Sequence, residues 1–422
     1  MGEPVTPFVQ RVILRNYKSI RQCDVSLGPL TLLVGPNGSG KSNFLDALRF
    51  VAESLRNPMG QAFDNRGGPE NVFCRFCRPA EKLEIDLQLN LPDSRSASFR
   101  FVVLPKPPDG FIVEEEECAV EGDTTAMYKV REGKVVRATF EVRPPASSDR
   151  LYLTSASNFH EFRGLYDLLA SALFYKINPG RIKKRPFAGR GALWPDGGGI
   201  GRVLRRIAVD RPELKDRIDE YARAILPSLD QISVESLSEW VNRLGAHDAK
   251  VTKEMEKHFL WFVVLASDQP IYFTARNMSD GTLHALGVLV ALFQCADQPP
   301  ERVISLVGIE EPEATVHPAA AGVLFDALHE ASHFVQVVAT THSAELLNIK
   351  HLDPDSLLVV DSVDGETIIG PADDVSLSAM KDRLFMAGEL LEMDQLKPNP
   401  KRPENAAIGA GDSPHPQPSG EQ

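Results

Sequence analysis

The chain has 422 residues, 43% of them hydrophobic and 25% charged, with a formal net charge of −12. That is the balance of an ordinary soluble globular protein with room for two or three domains, and its acidity argues against a surface that is basic all over while leaving room for a local basic patch. No apolar run approaches the ~20 residues needed to cross a bilayer, and Met1-Gly2-Glu3-Pro4 lacks the basic-then-apolar layout of a secretion signal, so a cytoplasmic chain with no membrane partner is expected.

In chain order, residues 11–14 and 23–27 read as two strands, with Gly28-Pro29 as the turn before a third. The third, Leu30-Thr31-Leu32-Leu33-Val34, is apolar throughout and runs into Gly35-Pro36-Asn37-Gly38-Ser39-Gly40-Lys41-Ser42, which fits G-x-x-x-x-G-K-[ST] at every fixed position. Residues 43–51 follow with an apolar helical face, so strand, glycine loop and helix are in register for a phosphate-binding loop. The glycines let backbone N–H groups approach phosphate oxygens without a Cβ in the way, and the helix start adds its partial positive charge. Lys41 is then expected at the β- and γ-phosphates and Ser42 on Mg²⁺. Further on, Cys74 and Cys77 form a close pair among five cysteines, but without two further ligands they read as reduced thiols and not as a zinc site. Leu83, Ile85, Leu87 and Leu89 alternate, strand signals follow at 99–104 and 110–113, and 128–130 and 134–136 flank a Glu132-Gly133 turn. This predicts a half-buried antiparallel β region.

Pro144-Pro145 marks a break, after which the periodicity to about residue 265 is helical, with faces at Phe162, Leu165, Leu168, Leu169 and Leu173, at Val203, Leu204 and Ile207, and at Leu214, Ile218, Tyr221 and Ile225. None is long enough for a coiled-coil arm. A β/α pattern then resumes, with buried strands at 303–309 and 334–339 and helices from Thr282 and near 319–331, as a parallel sheet covered on both faces requires. The expected division is an N-terminal lobe at 1–145, a helical insertion or lid at 146–265, a C-terminal lobe at 266–396 and a disordered tail at 397–422, where little can be buried.

Three later stretches carry chemistry. Glu310 and Glu311 end an apolar strand, where ligands collect in open α/β sheets; adjacent acids there divide the labour, Glu310 holding Mg²⁺ and Glu311 polarising an attacking water. Ser279-Asp280-Gly281-Thr282 opens an apolar helix and is a second anion-binding helix end, although by itself such a serine is an N-cap. His342 follows a buried strand between Thr341 and Ser343, where a γ-phosphate contact and a plain capping role are both open. Arg181, Lys183, Lys184 and Arg185, with Arg190, Arg202, Arg205 and Arg206 near them, form a basic cluster that suits either nucleic-acid phosphates or internal salt bridges. Gly197 to Gly201 is read as a loop.

The order of these motifs, phosphate loop, Ser-Asp-Gly-Thr, Glu-Glu-Pro-Glu with His317-Pro318, then Thr-Thr-His-Ser, resembles the ABC-type ATPases. It is most similar to the SMC/RecF/OLD-like branch, and there to the compact bacterial AAA-family ATPases of the AAA-21 type. Asn16-Tyr17-Lys18-Ser19, Leu193-Trp194-Pro195-Asp196-Gly197 and Gly388-Glu389-Leu390 add to the resemblance, which spans residues 8–392. It implies an α/β P-loop NTPase with an ABC-ATPase-like mixed sheet, an antiparallel β subdomain and a helical insertion. It implies ATP and Mg²⁺ as ligands, with Gly35, Pro36, Asn37, Gly38, Ser39, Gly40, Lys41, Ser42 and Asn43 as the Walker A segment. Ser279 and Gly281 belong to the signature loop, Glu310 and Glu311 to Walker B, 314–318 to the D-loop, and His342 is the switch histidine. Ser42 and Glu310 are the implied metal ligands; Glu311, Lys41 and His342 the catalytic set. Tyr17 is a candidate to lie beside the adenine, and no glutamine is assigned to the Q-loop. The family implies a head-to-tail homodimer with ATP at the interface, each signature loop serving the other chain's nucleotide. The expected output is DNA repair, chromosome maintenance or antiphage defence through a partner effector. An OLD-like nuclease would need its Toprim-like domain in a separate chain, since 361–365 reads as a hairpin turn without a D-x-D pair. A transporter ATPase fits the signature loop less well, because it lacks the Gly-Gly of transporters.

Overall fold

The computed structural model describes residues 6, 8–74, 82–106, 110–122, 124–141, 143–184, 192–236, 239, 258–266, 269–296 and 303–399; Cys77, Arg185, Arg190 and the segment 400–422 of the expected tail lie outside them. The chain opens with strands β1 (Val9–Tyr17), β2 (Ile20–Ser26) and β3 (Leu30–Val34), then helices α1 (Lys41–Arg56) and α2 (Met59–Asp64). Strands β4 (Leu83–Asn90), β5 (Ser96–Lys106), β6 (Gly110–Glu121), β7 (Ala126–Arg131) and β8 (Lys134–Ala138) follow. Next come α3 (Leu153–Ala156), α4 (His160–Ser171), β9 (Leu173–Tyr175), α5 (Pro179–Ile182), α6 (Ile200–Asp210) and α7 (Pro212–Ile225). Strands β10 (Leu229–Ser236), β11 (His258–Ala266) and β12 (Gln269–Thr274) lead to α8 (Asp280–Phe293), β13 (Leu306–Glu310), α9 (Ala321–Ala331), β14 (Gln336–Thr341) and α10 (Ala344–Leu347). The described chain closes with β15 (Leu357–Val363), β16 (Glu366–Gly370), α11 (Asp374–Lys381) and α12 (Ala387–Glu392).

Two larger sheets organise these elements. One has seven strands in the order β2-β1-β4-β5-β6-β7-β8, antiparallel throughout; the other has six in the order β16-β15-β3-β14-β13-β9, parallel except for the β15–β16 hairpin. Because side chains alternate across a strand, the six-stranded sheet feeds two separate cores. Leu33, Val338 and Leu306 point into one, shared with Phe44 and Leu48 of α1, Phe162 and Leu165 of α4 and the antiparallel sheet. Leu32, Val34, Val307, Ile309, Val337 and Ala339 point into the other, with Leu286, Leu289, Leu324 and Leu328 of α8 and α9. Burial on both faces explains why β3 and β14 carry no exposed residue. Buried Gln336 ties the sheets together: its side chain accepts from the Val9 N–H at 2.8 Å and donates to the carbonyls of Val9 at 2.8 Å and Gly28 at 3.0 Å.

Three expectations are corrected. The boundary at 145/146 does not divide the packing, since Leu151 to Ala172 belong to the same core as the N-terminal sheet. The helical face expected at 162–173 is α4, which covers α1, only as far as Ser171; Leu173 opens strand β9 instead. Nor is 146–265 wholly helical: β9 pairs in parallel with β13, and β10, β11 and β12 make a three-stranded antiparallel sheet. The run His258–Ala266 is rich in aromatic and β-branched residues, which suit a pleated surface better than a helix. The expected tail start at 397 also lies too early. Asp373 donates its N–H to Lys397 O at 2.9 Å and Asn399 donates to Pro371 O at 2.8 Å, so the backbone stays paired to 399.

Candidate nucleotide-binding site

The glycine loop leaves β3 and enters α1 through Gly40, whose φ of +105° is left-handed. A Cβ there would come within 2.0 Å of Thr367 Oγ1, so both conformation and space demand glycine. Thr367 of β16 donates its hydroxyl to the Ser39 carbonyl at 2.9 Å. Its single proton is thereby used, and in the 2.7 Å contact with Ser19 Oγ it accepts. Ser19 in turn accepts from Asn43 Nδ2 at 2.6 Å. A one-directional relay, Asn43 to Ser19 to Thr367 to the Ser39 carbonyl, thus pins the loop to the β1–β2 turn and the β15–β16 hairpin. Asn43, expected beside the nucleotide, has its side-chain amide committed to this relay.

Pro36, Asn37, Gly38 and Ser42 are exposed, while Gly35, Ser39 and Lys41 are buried. Lys41 folds back so that Nζ donates to Gly35 O and Pro36 O, each at 2.8 Å. Burial lowers its pKa, and the negative charges of Glu311 and Glu313 oppose that shift. Among the described residues this ammonium is hydrogen-bonded to two carbonyls of its own loop, and phosphate oxygens, which are charged, would bind it more strongly. Ser39 Oγ is buried with no partner among the described residues.

The acids arrive by register. Val34 of β3 lies opposite Thr341 of β14, and Glu310 of β13 opposite Thr340, so the strands bring residues 35, 311 and 342 out at one sheet edge. Glu310 Oε2 accepts from Ser42 Oγ at 3.1 Å and from Lys176 Nζ at 3.0 Å. Two hard oxygen donors therefore converge at a point that already attracts a cation, and Ser42 and Glu310 fit a Mg²⁺ ion. Glu311 has a φ of +46°, an unusual conformation for a non-glycine residue. Its N–H is held by Thr340 O at 3.0 Å and Thr340 Oγ1 at 3.2 Å. Its carbonyl lies 3.1 Å from Nε2 of His284, a histidine whose pKa burial lowers. The half-exposed Glu311 carboxylate lies 3.7 Å from His342 Nδ1, so the two side chains face each other across adjacent strands.

Residues outside the expected set complete the site. Glu313 accepts from Thr341 Oγ1 at 2.6 Å, its other oxygen is buried with no partner among the described residues, and burial raises its pKa. Thr341 Oγ1 also accepts from the Ser343 N–H at 3.0 Å, which fixes the backbone on either side of His342. Lys176, His284 and Thr367 sit in no motif, and Glu313 closes the quoted Glu-Glu-Pro-Glu stretch without an assigned role. Ser19 lay within the quoted Asn-Tyr-Lys-Ser stretch, without a role.

Ser279 caps α8, accepting from Thr282 N at 3.1 Å, and is exposed. A Cβ on Gly281 would lie 2.3 Å from Thr315 O, so the start of α8 packs against the segment 314–318 of its own chain. Among the described residues no hydrogen bond joins 279–282 to 35–43. Tyr17 does not face a nucleotide: it is fully buried, and its hydroxyl donates to Asp46 Oδ2 at 2.8 Å inside α1's network with Arg66. The basic cluster is largely engaged within the chain. Arg181 pairs with Asp196 at 2.6 Å, Lys183 with Asp280 at 2.5 Å and Arg205 with Glu239 at 2.9 Å, and Arg202 donates to Ala192 O at 3.0 Å.

The chain is similar to known proteins in sequence and in fold. Residues 8–130 match the family described as AAA ATPase domain, and residues 143–348 the family described as AAA domain, putative AbiEii toxin, Type IV TA system. Over 86 residues the chain is 29% identical to the DNA replication and repair protein RecF of Vibrio vulnificus, covering 19% of this chain and 24% of that protein. It is 38% identical over 64 residues to RecF of Magnetococcus marinus, 14% of this chain and 17% of that protein. With the OLD nuclease of Thermus scotoductus the figures are 42% over 43 residues, 10% of this chain and 8% of that protein. The alignments thus span a quarter or less of these relatives' length. Among solved structures, an Smc head bound to the C-winged helix domain of ScpA superposes with a TM-score of 0.51 at 13% identity, covering 86% of this chain and 97% of that one. An Smc head with an extended coiled coil, bound to the C-terminal domain of ScpA derived from Pyrococcus furiosus, gives 0.50 at 12%, covering 90% and 100%. These likenesses show the fold, a P-loop NTPase of the SMC-head kind.

Proposed function

From the premise that this chain is an SMC/RecF/OLD-like ATPase, we propose that it binds and slowly hydrolyses ATP as a switch whose site closes only when two copies meet head to tail. The observation that carries the reading is the convergence of Ser42, Glu310, Glu311 and His342 at the sheet edge beside Lys41, with the signature serine exposed and bonded to nothing in its own chain's phosphate loop.

Lys41 leaves the Gly35 and Pro36 carbonyls for the β- and γ-phosphates, and the N–H groups of 38–42 at the start of α1 surround them. Ser42 and Glu310 would hold Mg²⁺, which would supply neutralisation of phosphate charge. Glu311 orients a water in line with the γ-phosphate and accepts its proton; the backbone that aims its carboxylate is fixed by the two bonds to Thr340. His342, 3.7 Å from Glu311, meets both that carboxylate and the γ-phosphate. Ser279 and the N-terminus of α8 would neutralise γ-phosphate charge in the partner copy, which makes dimerisation depend on ATP. The relatives' names, a DNA replication and repair protein and a nuclease, support an output in DNA maintenance or defence passed to a partner effector. The pairing of Arg181 and Lys183 with aspartates leaves that cluster less charge for direct DNA contact.

Phosphate release from ATP tests the site. Lys41→Ala should abolish ATP binding, and Glu311→Gln should lower turnover by about 10²-fold or more while binding persists, as loss of a general base does. Turnover unchanged in either variant would refute the assignment.

A further inference from the structure

Lys176 sits in the loop just beyond β9, the edge strand that pairs in parallel with β13 through Tyr175 and Ile309. That register delivers Lys176 beside Glu310, and its ammonium lies 3.0 Å from Glu310 Oε2, the same oxygen that accepts from Ser42 Oγ. Nothing in local sequence demands a cation there. The side chain is 75% exposed, so it is not anchored by packing. Its backbone is anchored instead: Lys176 N donates to Pro195 O at 2.9 Å and Asn178 N to Asp196 O at 3.0 Å, which seats the loop on the Leu-Trp-Pro-Asp-Gly stretch. The same segment ends at Lys183, paired with Asp280 in the first turn of the signature helix. Residues 176–183 therefore carry Lys176 to Glu310 and Lys183 to Asp280, with Arg181 on Asp196 between them.

We propose that Lys176 is a resident counter-cation of the metal site: in the nucleotide-free chain its ammonium takes the place on Glu310 that Mg²⁺ takes with ATP, so metal entry and Lys176 release are one event. A positive charge at Glu310 and a divalent ion on the same oxygen repel each other, so the lysine must leave as the ion binds. Its exposure and flexible stem make that departure cheap, and the lysine restrains the carboxylate until metal arrives. Lys176 is a positioning residue, and this inference rests on the nucleotide-site reading given above.

The test is Mg²⁺ titration of a fluorescent ATP analogue bound to the full chain, read by fluorescence without turnover, in the wild type, Lys176→Met and Lys176→Arg. Lys176→Met, of similar length and uncharged, should lower the Mg²⁺ midpoint by about two- to five-fold, the scale of an exposed ion pair. Its affinity for the analogue in EDTA should stay at the wild-type value, and Lys176→Arg should keep the wild-type midpoint. An unchanged midpoint in Lys176→Met overturns the proposal. So does weaker binding in EDTA, which would make Lys176 a phosphate ligand. If instead Lys41→Ala binds the analogue as well as wild type, the nucleotide-site reading itself fails, and the Lys176 proposal falls with it.

Discussion

Removing one hydroxyl 326 residues from Lys41 should weaken ATP binding. Thr367 is 3% exposed; it donates to the Ser39 carbonyl at 2.9 Å and accepts from Ser19 Oγ at 2.7 Å. Thr367→Val keeps the shape and deletes both bonds. The Ser39 carbonyl is then left without its donor in a buried position, which costs about 1–3 kcal/mol, and the Ser19–Asn43 part of the relay loses its acceptor. Ser39 lies between the two glycines that shape the loop, so most of this cost should appear as loss of the phosphate-binding conformation. At about 1.4 kcal/mol per decade, the dissociation constant for ATP should rise about 5- to 100-fold. Equilibrium titration with a fluorescent ATP analogue measures it, and urea unfolding shows how much of the loss is global. Thr367→Ser, which restores the hydroxyl, should recover most of the affinity. Wild-type affinity in Thr367→Val would refute the idea that this relay shapes the loop.

Other substitutions probe what holds the site in place. Gly40→Ala, with a Cβ forced to within 2.0 Å of Thr367 Oγ1, should abolish ATP binding; retained binding in the titration would show that the loop tolerates a side chain there. Arg66, only 6% exposed, pairs with Asp46 at 2.8 Å and Glu53 at 2.7 Å under α1. Arg66→Met leaves those acids short of a partner and should destabilise the fold by about 3–5 kcal/mol in urea unfolding, the cost of breaking a buried pair. Glu116 is buried in the antiparallel sheet, accepting from Tyr128 Oη at 2.6 Å and Leu153 N at 2.8 Å, and burial raises its pKa to about 7 from 4.5. The folded state therefore holds this proton more tightly than the unfolded state. The contribution is complete below pH 4.5 and is lost as pH rises through 7. Its upper bound is about 3 kcal/mol. The wild-type stability advantage over Glu116→Gln should shrink from pH 5 to pH 8, and a difference that is flat or grows over that range would contradict it.

Much of the frame was legible because burial on both faces writes continuous apolar runs. β3, β13 and β14 were expected as strands on that ground, and their ends bear Gly35, Glu310 and His342. The β15–β16 turn at Asp364 and Gly365 was legible from its turn residues. What escaped depends on distance along the chain or on brevity. Ser19 and Thr367 meet across 348 positions, and no local pattern marks a threonine in a strand as the floor of a glycine loop. β9 has three residues, too few to show a period, yet it carries Lys176 to Glu310. Tyr17 stood in a recognisable motif but serves packing: its ring meets Phe50 and its hydroxyl Asp46.

The central claim is that the site is completed by a second copy. Its most direct measurement is the mass of Glu311→Gln in solution by light scattering, with ATP and Mg²⁺ and then with EDTA, alongside the double variant Glu311→Gln, Ser279→Arg. The account predicts a dimer of Glu311→Gln with ATP and Mg²⁺, a monomer in EDTA, and a monomer throughout for the double variant. A Glu311→Gln chain that binds ATP yet stays monomeric, or a dimer indifferent to Ser279→Arg, would contradict it.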